Sequence, residues 1–222
     1  MLKNRRNGGS GEVLACGQPN IGVKLLKPFG GEEVVSGVAA EEGEFVADAK
    51  FMPRFENLLA VGTRRYNSLL ASVNYTSKVK LWDVQRGQAI AKYKFNHLLQ
   101  EVVTCPALPN NVWFKLGLKN VVEADVRTQS FTSLKLNDLK NRELTLKNCF
   151  DVCPAGGDTI AVGGSNKVRY YDRRMLTPTP YKVIDLRPLS DVDLVVTKLK
   201  YQPSGRRILM AVSIGFQHNF LM

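Results

Sequence analysis

Residues 67–96 read NSLLASVNYTSKVKLWDVQRGQAIAKYKFN. Leu69 to Val73 is an apolar run, and Asn74 to Ser77 have turn composition. Val79, Leu81 and Asp83 then alternate with Lys78, Lys80 and Trp82, Arg86-Gly87-Gln88 is a second turn signal, and Ile90 to Phe95 alternates again around lysines. Period-two alternation broken by polar turns at this spacing predicts three successive antiparallel strands. A three-stranded meander cannot bury both faces alone, so it needs stacked copies of itself.

The rest of the chain supplies the copies. Pro53, Pro109, Pro154 and Pro203 each follow an apolar strand and precede a polar turn, and the steps between them are 56, 45 and 49 residues. Proline presets a turn and cannot donate to a strand ladder, so it belongs at a strand end. The second strands that follow are Leu58 to Val61, Val112 to Leu116, Thr159 to Val162 and Ile208 to Val212. Asp83, Asp125 and Asp172 each close a third strand, at steps of 42 and 47 residues. Two landmarks with one period of about 45 residues predict a unit of four strands, the spacing of propeller blades. The long first proline step places an insertion of about ten residues near Thr63 to Ser68. The fold class is therefore all-β: a β-propeller of four-stranded antiparallel blades, three whole and two partial. Either the ring is incomplete or the partial blades join to close a small one. Residues 1–11, ending in Gly8-Gly9-Ser10-Gly11, have the composition of a flexible basic arm, and residues 12–222 are expected to form one domain.

Composition narrows the function. The chain has 222 residues, 23% charged and 44% hydrophobic, which is a globular balance, and a net charge of +11. Such a charge favours acidic partners, whether nucleic acid, an anionic membrane or an acidic protein, although a lysine-rich solvated surface would give the same sum. Cys16, Cys105, Cys149 and Cys153 include no CxxC pair, and only His97 and His218 could assist them, so neither a zinc site nor any cofactor is expected. Buried reduced thiols fit better. The first residues lack a signal-peptide core, and no apolar run reaches ~18 residues. The expected setting is nuclear, nucleolar or cytoplasmic, without a membrane partner and not secreted.

LASVNYTSKVKLWDVQRGQAI, residues 70–90, resembles the WD-repeat family. The resemblance implies a propeller that binds other macromolecules without catalysis. It gives Trp82 a role in packing between blades, Asp83 a role in shaping the strand end, and Ser72 a place on a second strand, with His97 in the loop to the next blade. Asp125, Tyr171 and Asp172 continue the signature, with Ala124 and Tyr171 standing where Trp is usual. NDLKNRELTLK, Asn137 to Lys147, is similar to a segment between two blades of the nucleolar WD-repeat factors of large ribosomal subunit assembly. IAVGGSNKVRYYDRR, Ile160 to Arg174, resembles the box by which propeller substrate receptors dock on a cullin ubiquitin ligase adaptor.

In a propeller, the turns after the first and third strands share one face. Sorted this way, Arg54, Arg86, Arg127, Arg173, Arg174, Arg206 and Arg207 gather on one face. Glu41, Glu42, Glu44, Glu101, Asp138, Glu143, Asp191 and Asp193 gather on the other. The arginine face could meet phosphate or carboxylate, because the guanidinium fork pairs bidentately with both; equally, these arginines could only cap strand ends. No HExxH, GxSxG or phosphate-loop motif is present, and Gly163-Gly164-Ser165 joins two strands. Trp113, Tyr170 and Tyr171 read as packing residues ahead of base-stacking platforms. The expected function is a non-enzymatic scaffold for other proteins and RNA, in ribosome biogenesis or, alternatively, as a ubiquitin-ligase receptor. No small-molecule substrate is expected.

Overall fold

The computed structural model describes residues 3–5, 14–18, 22–26, 33–38, 44–53, 58–69, 72–83, 85–117, 120–128, 130–135, 149–175, 177–190 and 192–214. Side chains are described from Glu44 onward, apart from those of residues 66–69, 72–75, 135 and 214. Among these residues every regular element is a β-strand except one 3-10 turn, Arg187–Leu189, and no helix is long and apolar enough to cross a membrane.

The strands form antiparallel sheets in which sequence neighbours are spatial neighbours. The first sheet is β1 (Lys3–Arg5), β2 (Leu14–Gln18), β3 (Gly22–Leu26) and β4 (Glu33–Val38). The second is β5 (Glu44–Phe51), β6 (Leu58–Leu69), β7 (Ser72–Asp83) and β8 (Gln88–Phe95). The third is β9 (Leu99–Cys105), β10 (Leu108–Leu116), β11 (Asn120–Asp125) and β12 (Ser130–Lys135). The fourth is β13 (Phe150–Val152), β14 (Thr159–Gly163), β15 (Lys167–Asp172) and β16 (Lys182–Asp185). The last pairs β17 (Leu194–Tyr201) with β18 (Ile208–Ile214).

Among the described residues, four sheets thus have four strands and one has two. The count differs from expectation at the start of the chain, where Lys3–Arg5 lies inside the stretch read as a basic arm. It pairs with β2, with Asn4 opposite Ala15. A ladder bonds through the backbone, so an outermost strand can be wholly polar, and its charges discourage further pairing.

The opening stretch also folds differently from its pattern. Asn74 to Ser77 form no turn: they lie within β7, with Asn74 opposite Asn67 and Tyr75 opposite Tyr66. β6 and β7 are 12 residues each, against 5 and 6 for β14 and β15. The expected insertion is therefore absorbed as extra strand length on both sides of one hairpin. The described pairing of β5 with β6 begins at Glu44↔Arg65, while β6 and β7 pair on to Leu69↔Ser72. Proline behaves as expected at Pro53, Pro154 and Pro203, which stand after β5, β13 and β17. The third sheet departs: β9 ends at Cys105, Pro106-Ala107 make the turn, and Pro109 lies within β10. Two prolines three residues apart gave one signal, and the nearer to the strand holds the role.

By compactness the chain divides into two units, Met1–Thr104 with Leu108–Gly117 and Val122–Thr132, and Cys105–Ala107 with Leu118–Val121 and Ser133–Met222. In the first, Ala60, Val79, Leu81, Leu99, Val112 and Phe114 are fully buried in one cluster. In the second, Ala161, Val168, Leu186, Val196 and Leu199 form another. Both clusters need a glycine at the same place in a second strand. Ala60-Val61-Gly62 in β6 and Ala161-Val162-Gly163 in β14 end where the next sheet's first strand packs: a Cβ on Gly62 would strike Leu99, and one on Gly163 would lie 2.7 Å from Val196 Cγ1 and 2.9 Å from Cys149 Sγ. Gly163→Ala is expected to lower stability by about 1–3 kcal/mol through overpacking, because Val196 is β-branched and cannot rotate away. Gly156→Ala, whose Cβ would meet Asp158 Oδ2 at an ordinary 3.6 Å, should cost far less. Urea unfolding of the two variants checks this, and equal losses would contradict it.

Candidate functional site

Consecutive antiparallel strands alternate in direction, so the turns after a sheet's first and third strands lie at one end of it. At that end the structure repeats one small device. Asp125 closes β11; its Oδ1 accepts the backbone N–H of Arg127 at 2.9 Å and Arg127 Nε at 3.1 Å, while Oδ2 accepts Nη2 at 2.7 Å. Asp172 closes β15 and holds Arg174 in the same way, at 2.9, 3.2 and 3.0 Å. The aspartate shapes the turn by taking the amide two residues on, and this brings the side chain of that residue back over the carboxylate. The side-chain bond from Arg127 holds the Asp125 carboxyl below its ordinary range, as that from Arg174 does for Asp172. Asp83 carries its arginine one residue later. There the amides of Gln85 and Arg86 are both bonded at 3.0 Å, but Arg86 Nε stands off at 3.6 Å.

A further copy, which the strand pattern did not point to, lies at the other end of the fourth sheet. Asp185, the last residue of β16, accepts the Arg187 amide at 3.0 Å and is gripped by its guanidinium through Nε and Nη2. The spacing Asp-x-Arg, shared by 125–127, 172–174 and 185–187, was the signal for it.

The arginines expected on one face fare unequally. Arg54 lies outside the described residues. Arg86 and Arg127 sit in third-strand turns of the first unit, each facing its own aspartate. In the second unit four arginines come onto adjoining turns. The Arg173 amide donates to Asp158 O at 2.8 Å, and Arg174 Nη1 lies 3.8 Å from Asp158 Oδ2. Gly205, at φ +71, sits so close to Cys153 and Ala155 that a Cβ would lie 2.7 Å from that of Ala155. The turn of residues 153–158 is thus flanked by Arg173-Arg174 on one side and Arg206-Arg207 on the other. Among the described residues, the side chains of Arg206 and Arg207 have no acidic partner. On the Arg174 side, Asp158, Thr159, Arg174, Met175 and Tyr181 help line an open cleft of about 470 Å3, where Thr159 Oγ1 and Tyr181 Oη are 3.3 Å apart.

Two of the three described residues named for the acidic face are not on a surface. Glu44 and Glu101 are buried within β5 and β9. Glu44 meets Lys78 Nζ at 2.8 Å and Lys80 Nζ at 3.7 Å and accepts Thr63 Oγ1 at 3.1 Å. A strand start next to a loop looks exposed in sequence, but partners 19 to 36 residues away bury it. The third described member, Asp193, is exposed and bonded by Asn166 Nδ2 at 2.6 Å. Glu41, Glu42, Asp138, Glu143 and Asp191 lie outside the described residues, as does the segment 137–147.

The repeat signature is corrected in one place. Ser72 begins β7, a third strand, and its side chain is outside those described. Thr63 on β6 and Ser77 on β7 are the buried hydroxyls. Ser77 Oγ accepts the Leu99 amide at 2.8 Å, and Asn166 Oδ1 accepts the Leu194 amide at 2.6 Å. Ser77-Lys78-Val79-Lys80 and Asn166-Lys167-Val168-Arg169 both stand six residues ahead of the closing aspartate, so the same position fastens the start of the next sheet. Tyr171, Trp113 and Ala124 are fully buried, Trp82 is half-buried, and Tyr170 packs its ring 6.4 Å from Tyr181. None of Trp113, Ala124 or Tyr171 can present a face to a base. Cys105 and Cys149 are buried free thiols and Cys153 is half-buried; Cys105 and Cys149 donate to backbone carbonyls at 3.3 and 3.5 Å.

No protein-family model matches this sequence, and no curated protein matches it. In three dimensions the chain is similar to the β-propeller domain of Cps50 (Swd1) from Myceliophteria thermophila, known from a crystal structure, with a TM-score of 0.67 and 15% identity. The likeness covers 93% of this chain and 60% of that one. It shows the fold: the four-stranded sheets are blades of a β-propeller.

The Asp185–Arg187 pair gives a pH test. The bond from Arg187 lowers the Asp185 carboxyl from 3.8 to about 2. A depressed carboxyl stabilises the folded state above its unfolded value, and this contribution disappears as pH falls through about 2. Carboxyl-carbon NMR should show Asp185 titrating near 2, and at a higher pH in Arg187→Gln, short of 3.8 because the residue 187 amide and Lys167 still favour the carboxylate. An unchanged midpoint in the variant would refute the fork as cause.

Proposed function

We propose that this chain is a non-enzymatic propeller scaffold joining other proteins in a multi-subunit assembly. We further propose that the assembly is a ribonucleoprotein one, in ribosome biogenesis, in the nucleus or nucleolus. One observation carries the reading: Arg173, Arg174, Arg206 and Arg207 stand on turns that adjoin around residues 153–158 of the second unit. A net charge of +11 and the resemblance of Asn137 to Lys147 to the nucleolar factors support it. The arginine end is a surface for carboxylate or phosphate, held on short turns between rigid strands. The rival reading, a ubiquitin-ligase receptor, leans on Asp172 and Arg174. Their fork recurs at 125–127 and 185–187, so the fold's own turn chemistry accounts for it.

Affinity purification of the tagged chain, with and without nuclease, tests the proposal. Pre-ribosomal proteins and ribosomal RNA are expected to co-purify. Changing Arg173, Arg174, Arg206 and Arg207 together to Gln should weaken the association and flatten its salt dependence, by about 0.9 in the log–log slope for each phosphate left without its arginine. Recovery of a cullin adaptor that Arg174→Ala releases would instead establish the rival. Unchanged affinity for every acidic partner in the fourfold variant would end the proposal.

A further inference from the structure

We infer that Thr179 is a phosphorylation site for a proline-directed protein kinase, and that its phosphate is held by Arg174 and switches off the arginine end of the second unit. The switch rests on the reading given above for that end; the phosphorylation site does not.

The first ground is the loop between β15 and β16. Residues 173–181 make nine, where the equivalent turns 84–87 and 126–129 have four each. The Asp172–Arg174 fork closes this turn as Asp125–Arg127 closes its own, so the added length has no part in closure. Residues 175–181 read Met-Leu-Thr-Pro-Thr-Pro-Tyr. Of the 10 prolines in the chain, only Pro178 and Pro180 follow a hydroxyl residue, and they stand together here. Thr179-Pro180-Tyr181-Lys182 has the order hydroxyl, proline, any residue, cation. Proline-directed kinases take this order: proline brings no N–H to be satisfied after the target hydroxyl, and the cation three residues on anchors the segment.

The second ground is how loosely the stretch is held. Among the described residues no backbone–backbone hydrogen bond involves residues 177–180, and pairing resumes only where the Tyr181 amide donates to Tyr170 O at 2.9 Å. Thr177 Oγ1 donates to Thr179 O at a long 3.4 Å. Thr179 and Lys182 are exposed, and the Thr179 hydroxyl makes no bond among the described residues. β16 is the outermost strand of its sheet and has four residues, so seating the loop in a kinase disturbs little else.

The step is a phosphoryl transfer from Mg-ATP. Thr179 Oγ1 bonds to the γ-phosphorus while the bond from that phosphorus to the β,γ-bridging oxygen breaks; ADP leaves, and the hydroxyl proton passes to the kinase's base and then to solvent. The product carries about 1.5 to 2 negative charges and three acceptor oxygens. Thr179 and Arg174 line one cleft, together with Asp158 and Asp172. A phosphate there attracts the guanidinium more strongly than a singly charged carboxylate does. Arg173, Arg174, Arg206 and Arg207 set against Asp158 and Asp172 leave the arginine end two positive charges, and a phosphate's roughly two negative ones cancel them.

Incubation of the whole chain with a cyclin-dependent kinase and Mg-ATP, followed by peptide mass spectrometry, tests this. Phosphate is expected on Thr179, lost in Thr179→Val and Pro180→Ala, kept in Thr177→Val, and incorporated several-fold more slowly in Lys182→Gln. Phosphorus-31 NMR of the product should show the second ionisation of the phosphothreonine below its ordinary value of about 6, and back toward it in Arg174→Gln. Labelled oligouridine should bind the phosphorylated chain about tenfold or more weaker than the unmodified one, one charged contact being worth at least about 1.4 kcal/mol. Absence of phosphate from Thr179, incorporation unaffected by Pro180→Ala, or a phosphorus-31 midpoint unmoved by Arg174→Gln overturns the inference. So does oligouridine binding that phosphorylation leaves unchanged. A chain that binds no oligouridine before modification, yet takes phosphate on Thr179, refutes the arginine end as a phosphate surface and leaves the phosphorylation site standing.

Discussion

Within each unit, buried polar side chains reach from one blade to the first strand of the next. Asp48 Oδ2 accepts the amide of Val102 at 3.0 Å, and Asp151 Oδ2 accepts that of Tyr201 at 2.8 Å. Both carboxylates are almost wholly buried, and each also holds a lysine: Asp48 holds Lys50 at 2.7 Å, and Asp151 holds Lys200 at 2.9 Å. A buried carboxylate costs several kcal/mol unless it is bonded and paired, so these contacts leave little freedom in how the second blade meets the third and the fourth meets the last. Ser77 and Asn166 do the same for the opening amides of β9 and β17. Apolar packing at Gly62 and Gly163 brings the blades close, and the directional bonds set their register.

That arrangement frees the strand-end turns from any structural duty except closing themselves. The Asp-x-Arg forks close three of them and hold their own charge in check. An arginine in such a turn is therefore a poor guide to binding, however exposed it is. Arg174 is 63% exposed on its side chain and still engaged with Asp172 and Asp158. Charge available to a partner is found where the turn is built from Pro, Ser and Gly instead, as it is before Arg206. A net charge of +11 says nothing of where such places are.

The amino-acid sequence by itself determined the strand composition, the period of about 45 residues and the aspartates that close the third strands, because alternation, proline and Asx turns act over a few residues. It misplaced the turn inside residues 67–96, since a hairpin ladder is made by backbone groups that any polar residue carries. It put Glu44 and Glu101 on a surface, because burial there is decided by Lys78, Lys80 and neighbouring strands far along the chain. Only the tertiary structure decided that Asp48 and Asp151 reach the next blade, that Gly62 and Gly163 admit its side chains, and that Arg206 and Arg207 are unlike the other turn arginines. Those are contacts across some 35 to 55 residues, and no local pattern of side chains records which distant amide a carboxylate will meet.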